Sequence, residues 1–325
     1  MDFSFVIVYS SSIVMKTAVL IPCYNEALTI KKVIEDFSKE LPEATIYVYD
    51  NNSSDQTVRI AKEAGAVVSF ENKQGKGNVV RTMFREIDAD IFVMVDGDDT
   101  YPAEEVHKLI QPIIEEKMDM VIGDRLSNGT YYKENKRPFH DFGNNLVRGL
   151  INHLFHSNIK DIMTGYRAFS RRFAKCMPVI SDGFQIETEM TIFSLVYRLN
   201  VKEVPIVYRD RPEGSYSKLN TINDGMKVLI TLFDLLKNYR PFFFFFIISI
   251  AFTVFGLLFA IKGLGNLSIG WIIIGALLLM ASIILVVAGI ILDAIKNQTI
   301  LLFEQYLNNY EREENQSKNI ILEKK

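Results

Sequence analysis

Two long uncharged stretches near the C-terminus set the first constraint on this chain. Residues 242–261 (FFFFFIISIAFTVFGLLFAI) and 269–292 (IGWIIIGALLLMASIILVVAGIIL) hold 20 and 24 consecutive residues without a charge. As helices, each is long enough to cross a hydrocarbon layer about 30 Å thick, and neither has the polar face of a helix at the edge of a soluble core. They read as two transmembrane helices joined by the seven-residue loop KGLGNLS at 262–268. So short a loop leaves both flanks on one side of the membrane. Lys237 and Arg240 before the first span and Lys296 after the second outnumber Lys262 in the loop, and this charge distribution puts the flanks in the cytoplasm. The expectation is a multi-pass protein of the cell membrane, with the rest of the chain cytoplasmic.

The remainder must be a folded soluble part, because 23% of the 325 residues are charged and yet the mean hydropathy is positive. A formal net charge of -3 gives no general attraction to nucleic acid, and the four histidines lack metal-ligand spacing. Cys23 and Cys176 are the two cysteines, with no CxxC pair. They cannot build a disulfide framework and suit a reducing compartment. Residues 1–15 form an N-terminal extension whose apolar stretch, 3–14, is short and lacks both a positive leading region and a small-residue cleavage site. It is not read as a signal peptide, and no function is assigned to it.

Across 16–220 strand-like and helix-like segments alternate, as expected of an α/β domain with a mostly parallel sheet flanked by helices. TAVLIPCY, ATIYVYD, AVVSF, DIFVMVD and MDMVIGD are the strand candidates, and EALTIKKVIEDFSKE, SDQTVRIAKEAG and PAEEVHKLIQPIIEEK are helix candidates. In such sheets ligands gather at the carboxyl ends of strands. Polar clusters stand there: Tyr24, Asn25 and Glu26 after the first strand, 50–55 after the second, and 96–99 after the fourth. The last, in VMVDGDDTYP, is the strongest chemical signal. A glycine between Asp96 and Asp98 lets the backbone turn so that both carboxylates can face one hard cation, Mg²⁺ or Mn²⁺. Asp99 alone is equally well explained as a cap for a helix starting near Pro102. A divalent ion here would bind a diphosphate and stabilise charge on a departing nucleotide.

IPCYNEA at 21–27, YDNNSSDQT at 49–57 and the VDGDD segment resemble the nucleotide-binding half of family 2 glycosyltransferases, which have the GT-A fold. VIGDR at 121–125, DIMTGYRAFSRR at 161–172, GFQIETEM at 183–190 and EVPIVYRDRPEGSYSKL at 203–219 resemble the branch containing dolichyl-phosphate mannose synthases and polyprenyl-phosphate glycosyltransferases. The resemblance covers 16–220 and implies a metal-dependent, inverting transfer from a UDP- or GDP-linked sugar to dolichyl or undecaprenyl phosphate.

It also implies roles for individual residues. Asp96 and Asp98 are the metal ligands. Pro22, Tyr24, Glu26 and Asp50 surround the nucleotide, Asp50 at the base; Glu26 equally suits the first acidic residue of a helix. Lys76, between two glycines in QGKGNVVR, is a point charge near phosphate or part of a solvated turn. Arg125, Arg137 and Arg211 match positions around the acceptor phosphate or diphosphate, where a planar guanidinium binds oxygens in pairs; surface ion pairs are the alternative. Glu187 is a carboxylate for positioning sugar or acceptor, or a helix-surface glutamate. Asn51 stands where many members carry a second aspartate, and Thr100 where several carry a glutamine. Because a polyprenyl phosphate is already an oxyanion near neutral pH, the nucleophile needs orientation more than deprotonation.

Residues 221–240 carry an apolar stripe, Ile222, Met226, Leu229, Phe233 and Leu236, with basic residues beside it. This suits an amphipathic juxtamembrane helix or one packed on the soluble domain. Residues 294–325 form a mixed-charge cytoplasmic tail compatible with a homo-oligomer. Two other functions fit less well. A processive polysaccharide synthase would require a QxxRW motif and more spans, and a non-catalytic membrane scaffold would have no need of the aspartate pair.

Overall fold

The computed structural model describes residues 15–127, 138–183, 185–212, 233–234 and 236–323. The chain divides into two compact units, Met1–Lys136 with Lys160–Thr191 and Leu199–Tyr216, and Arg137–Ile159 with Ile192–Arg198 and Ser217–Lys325. The 1–15 extension, apart from Met15, and most of the 221–240 stripe lie outside the described residues.

In the first unit, seven strands among the described residues form one sheet. They are β1 (Thr17–Cys23), β2 (Thr45–Asp50), β3 (Val67–Phe70), β4 (Ile91–Met94), β5 (Met120–Asp124), β6 (Arg167–Ser170) and β7 (Val201–Pro205), in the order β3-β2-β1-β4-β6-β5-β7. All neighbouring pairs are parallel except those made by β6, which runs antiparallel between β4 and β5. Helices α1 (Ile30–Glu40), α2 (Thr57–Glu63), α3 (Lys76–Glu86) and α4 (Val106–Glu115) connect the first five strands, and α6 (Arg171–Cys176) and α7 (Ile186–Val196) lie between β6 and β7 in sequence. The mostly parallel architecture read from the sequence is therefore present.

The apolar patterns explain the layers. Ala18, Val19, Leu20 and Ile21 of β1 are all buried, the continuous run of a strand covered on both faces. Helix α1 buries Ile30, Val33, Ile34 and Phe37, and α4 buries Val106, Leu109, Ile110 and Ile113, each at the i, i+3, i+4, i+7 spacing of one helix face. Both faces join the same core cluster with Val19, Val93 and Tyr166. Burial of each large apolar side chain there contributes about 1.5–3 kcal/mol. The chain leaves β1 toward β2 and β3, then adds β4 on the opposite side of β1. That reversal is a topological switch point, which opens a crevice at the carboxyl ends of β1 and β4.

The second unit contains α5 (Pro138–Phe155), the apolar helix α8 (Pro241–Gly265) and α9 (Ile269–Glu323), a continuous helix of 55 residues. Both apolar helices are long and apolar enough to cross a membrane, and only 11% and 17% of their most apolar windows are buried. Buried core helices would be covered, so the exposed surface agrees with two spans. α8 and α9 pack closely where small residues meet: a Cβ on Gly275 would lie 2.7 Å from the Ala260 nitrogen. Thr253 and Ser282 share a 2.6 Å hydroxyl hydrogen bond, and Ser282 donates to the Ser249 carbonyl at 3.1 Å. These bonds satisfy the hydroxyls within the apolar pair. At the connecting turn Trp271 stacks on Phe259, with Lys262 4.3 Å above the indole, an amphipathic cluster suited to a membrane–water interface. The tail continues α9 and sets Phe303 against Phe193 and Tyr197.

Candidate active site

The crevice is lined by the loops that leave β1, β2 and β4. After β4 the backbone turns differently from the sequence expectation. The left-handed residue is Asp99, at φ 59°, and not Gly97. Gly97 is needed because a Cβ there would come 2.9 Å from the Cys23 sulfur at the end of β1. Nor does Asp99 cap a helix: its carboxylate pairs with Lys32 of α1 at 2.7 Å, and the 3-10 turn Ala103–Glu105 begins without a side-chain cap.

Asp98 is buried, with Thr100 Oγ1 donating to its Oδ1 at 2.6 Å and Arg211 held against its Oδ2 at 2.5 Å. Burial pushes this carboxyl above the ordinary range, the adjacent Asp96 charge adds to the shift, and Arg211 and Thr100 oppose it. Asp96 is the more open of the two, its side chain 29% exposed. Carboxylates that repel in this way gain from a shared cation. Among the described residues no group of three or more His, Cys, Asp or Glu gathers in a metal-binding arrangement. The donor set nonetheless fits Mg²⁺ or Mn²⁺, because such ions are held by one or two carboxylates and complete their coordination with substrate phosphates and water.

Lys76 opens α3 and lies between Asp96 Oδ1, at 2.5 Å, and Glu187 Oε1, at 2.6 Å. Burial disfavours its ammonium, but the two carboxylates outweigh that and raise its pKa. Glu187, in the first turn of α7 (Ile186–Val196), is buried rather than on a helix surface. The QGKG segment is therefore not a solvated turn. Its glycines face another part of the chain: a Cβ on Gly75 or Gly77 would collide with the carbonyls of Asp182 and Ser181, and Gly77 N–H donates to the Asp182 carbonyl at 3.0 Å.

After β2, Asp50 is buried, and its Oδ2 accepts from Ser53 N–H at 3.0 Å. Its Oδ1 is buried with no hydrogen-bond partner among the described residues, so it can accept an N–H from a ligand. Asn51 donates to the Glu71 and Lys73 carbonyls at 2.8 Å each and accepts from Gly75 N–H at 2.7 Å. An aspartate could not make the two donations, which accounts for the amide at this position. Tyr24 is 39% exposed at the end of β1, and Pro22 is half-buried in that strand. Glu26 precedes α1 rather than opening it; its N–H donates to Thr57 Oγ1 and its carbonyl accepts from Thr29 and Ile30.

The arginines separate. Arg211 pairs with Asp98, whereas Arg125, its side chain 11% exposed, forks onto Asp161 at 2.7 and 2.9 Å. Burial disfavours the Arg125 charge, but Asp161 outweighs it and raises the pKa. Arg137 lies outside the described residues.

Three residues to which the sequence motifs give no role complete the site. Gly165 lies against Asp96: an added Cβ would overlap Oδ2 and stand 2.8 Å from Cγ. Its N–H donates to the Tyr101 hydroxyl at 3.0 Å, which also accepts from Arg125 at 3.3 Å. Arg167 is fully buried and donates to the Thr164 and Ile162 carbonyls and to Thr191, fixing the turn before Gly165. Burial pulls its pKa down to about 10, against the Glu187 and Asp161 charges, so it remains a cation at neutral pH.

The chain is similar to several known proteins. The family model for glycosyl transferase family 2 matches residues 18–177. Glycosyltransferase AglJ of Haloferax volcanii is 36% identical over 243 residues, which cover 74% of this chain and 78% of that protein. A dolichyl-phosphate hexose transferase of the same organism is 30% identical over 65% of this chain and 90% of its own length. The UDP-N-acetylglucosamine–dolichyl-phosphate N-acetylglucosaminyltransferase of Methanococcus voltae is 28% identical over 66% and 93%. Among solved structures, glucosyl-3-phosphoglycerate synthase from Mycobacterium tuberculosis, in complex with Mn²⁺, UDP and phosphoglyceric acid, superposes with a TM-score of 0.56. It is 21% identical, covering 69% of this chain and 78% of that one; the likeness is one of fold.

Proposed function

The chain belongs to glycosyl transferase family 2, and from that premise we propose that it moves a sugar from a nucleotide sugar onto polyprenyl phosphate in a membrane. The observation that carries this reading is the union, in one chain, of an acidic pair at the switch point with two helices long and apolar enough to reach lipid. Relatives named for transfer to dolichyl phosphate support this acceptor class.

The residues divide the work by charge. Asp50 Oδ1, buried without a partner among the described residues, accepts a base N–H of the UDP or GDP moiety beside Tyr24, Pro22 and Glu26. Asp96 and Asp98 would hold a Mg²⁺ or Mn²⁺ ion, which would supply Lewis-acid stabilisation to the leaving diphosphate. Arg211, a third exposed and within reach of the same pair, offers a planar fork to phosphate oxygens. Arg137 is assigned to the acceptor phosphate. Arg125, forked onto Asp161, acts by holding the turn that carries Gly165. Glu187 positions Lys76 and, through it, Asp96. The acceptor phosphate, already ionised, attacks the anomeric carbon opposite the departing diphosphate, which inverts that centre and calls for no dedicated general base.

Membranes containing the protein, incubated with labelled nucleotide sugars and extracted with organic solvent, should yield a mild-acid-labile glycolipid. Long polymer, or no transfer with any nucleotide sugar, would overturn the reading. The topology gives a second prediction. Cysteines placed in 262–268 should react with an impermeant reagent from outside the cell, and cysteines near residue 300 should not. The opposite labelling would put the acidic pair on the side without nucleotide sugars.

A further inference from the structure

Each carboxylate of the acidic pair is already matched by a basic side chain. Arg211 against Asp98 is 32% exposed, and its flexible side chain can swing into solvent. Lys76 against Asp96 is different: its side chain is 8% exposed, and its second partner, Glu187, is 6% exposed. The backbone under Lys76 has little freedom, because Gly75 and Gly77 are wedged against the 181–182 carbonyls. The ammonium therefore moves only by rotation of its own side chain, with Glu187 as a fixed anchor at one end.

We propose that Lys76 is a positioning residue that makes metal binding and nucleotide binding interdependent. The inference rests on the assignment of Asp96 and Asp98 as the metal pair. In the protein alone, Lys76 supplies the positive charge that Asp96 needs. A divalent ion arriving by itself must share a carboxylate oxygen with an ammonium 2.5 Å away and meets like-charge repulsion. A nucleoside diphosphate brings negative charge of its own, to which the ammonium turns while keeping Glu187, and Asp96 is released to the metal. Each ligand removes the obstacle to the other, which is reciprocal coupling through one side chain.

The test uses detergent-solubilised full-length protein and measures Mn²⁺ affinity by electron paramagnetic resonance, alone and with saturating UDP or GDP. The native chain should bind Mn²⁺ weakly alone and about tenfold or more tightly with the preferred nucleotide. Lys76→Met should bind Mn²⁺ alone about tenfold more tightly than the native chain, and its coupling should fall toward unity. Since that change strands a buried glutamate, the double variant Lys76→Met/Glu187→Gln removes both charges and should show the same loss of coupling in a folded protein. Unchanged or weakened nucleotide-free Mn²⁺ binding in both variants would overturn the proposal. Asp98→Asn separates the coupling role from the metal assignment. If it abolishes Mn²⁺ binding while the Lys76 variants behave like the native chain, only the coupling role fails. If it leaves Mn²⁺ binding intact, the metal assignment fails and takes the coupling role with it.

Discussion

Replacing Asp98 with Asn should lower sugar transfer by on the order of a thousandfold and leave the protein folded. The geometry separates these effects. The amide oxygen can still accept from Thr100, and the partner that loses its counter-charge, Arg211, is partly exposed, so little stability depends on the carboxylate charge. What disappears is one of two anionic oxygen donors to a divalent ion, at a site where burial and Asp96 already press the two charges together. Asp96→Asn should behave alike, since Lys76 keeps Glu187 as a partner. Transfer rates measured with excess Mg²⁺ or Mn²⁺, beside a thermal melt, test both halves. A folded variant with native turnover would remove the acidic pair from the mechanism.

Gly165→Ala should be almost as damaging, although it deletes no functional group. The new methyl would overlap Asp96 Oδ2, and the turn cannot retreat, because Tyr101 holds the Gly165 N–H and buried Arg167 holds the two carbonyls before it. The Asp96 carboxylate must therefore rotate away from its place beside Lys76. A displacement near 1 Å in such a site costs about a hundredfold in rate, and Mn²⁺ affinity should fall with it. Gly149→Ala, where an added Cβ meets nothing within 4 Å, serves as the neutral comparison. Equal activities of the two variants would show that Gly165 does not fix the carboxylate.

Much of the fold is legible in the sequence because β1 to β5 are short runs rich in Val, Ile and other apolar residues, and α1 and α4 bury one clear face. β6 and β7 are harder to see. RAFS is four residues long and begins with an arginine, and VKEVP carries two adjacent charges, Lys202 and Glu203; both are strands because the edge of β4 and then β5 gives them partners, which is information from tertiary pairing. The site divides the same way. Asp96, Asp98 and Asp50 stand at strand ends and can be found from local pattern. The Lys76–Glu187 pair spans 111 positions, so the sequence shows a lysine between glycines and a glutamate on a helix with nothing to join them. The glycines beside Lys76 resemble phosphate-binding glycines, yet the space that they leave is filled by 181–182. Gly165 and Arg167 act through packing, which a motif records without explaining.

An ionised lipid phosphate as the acceptor is the centre of this mechanism, and one comparison tests it directly. Purified protein in detergent is given a labelled nucleotide sugar, Mn²⁺, and either polyprenyl phosphate or the corresponding unphosphorylated polyprenol, and the organic-phase label is measured. The proposed mechanism relies on guanidinium groups to orient an oxyanion and on no base to create one, so transfer should occur to the phosphate and be absent with the alcohol. Equal transfer to the alcohol, or transfer to water or to a growing sugar chain in place of the lipid phosphate, would contradict it.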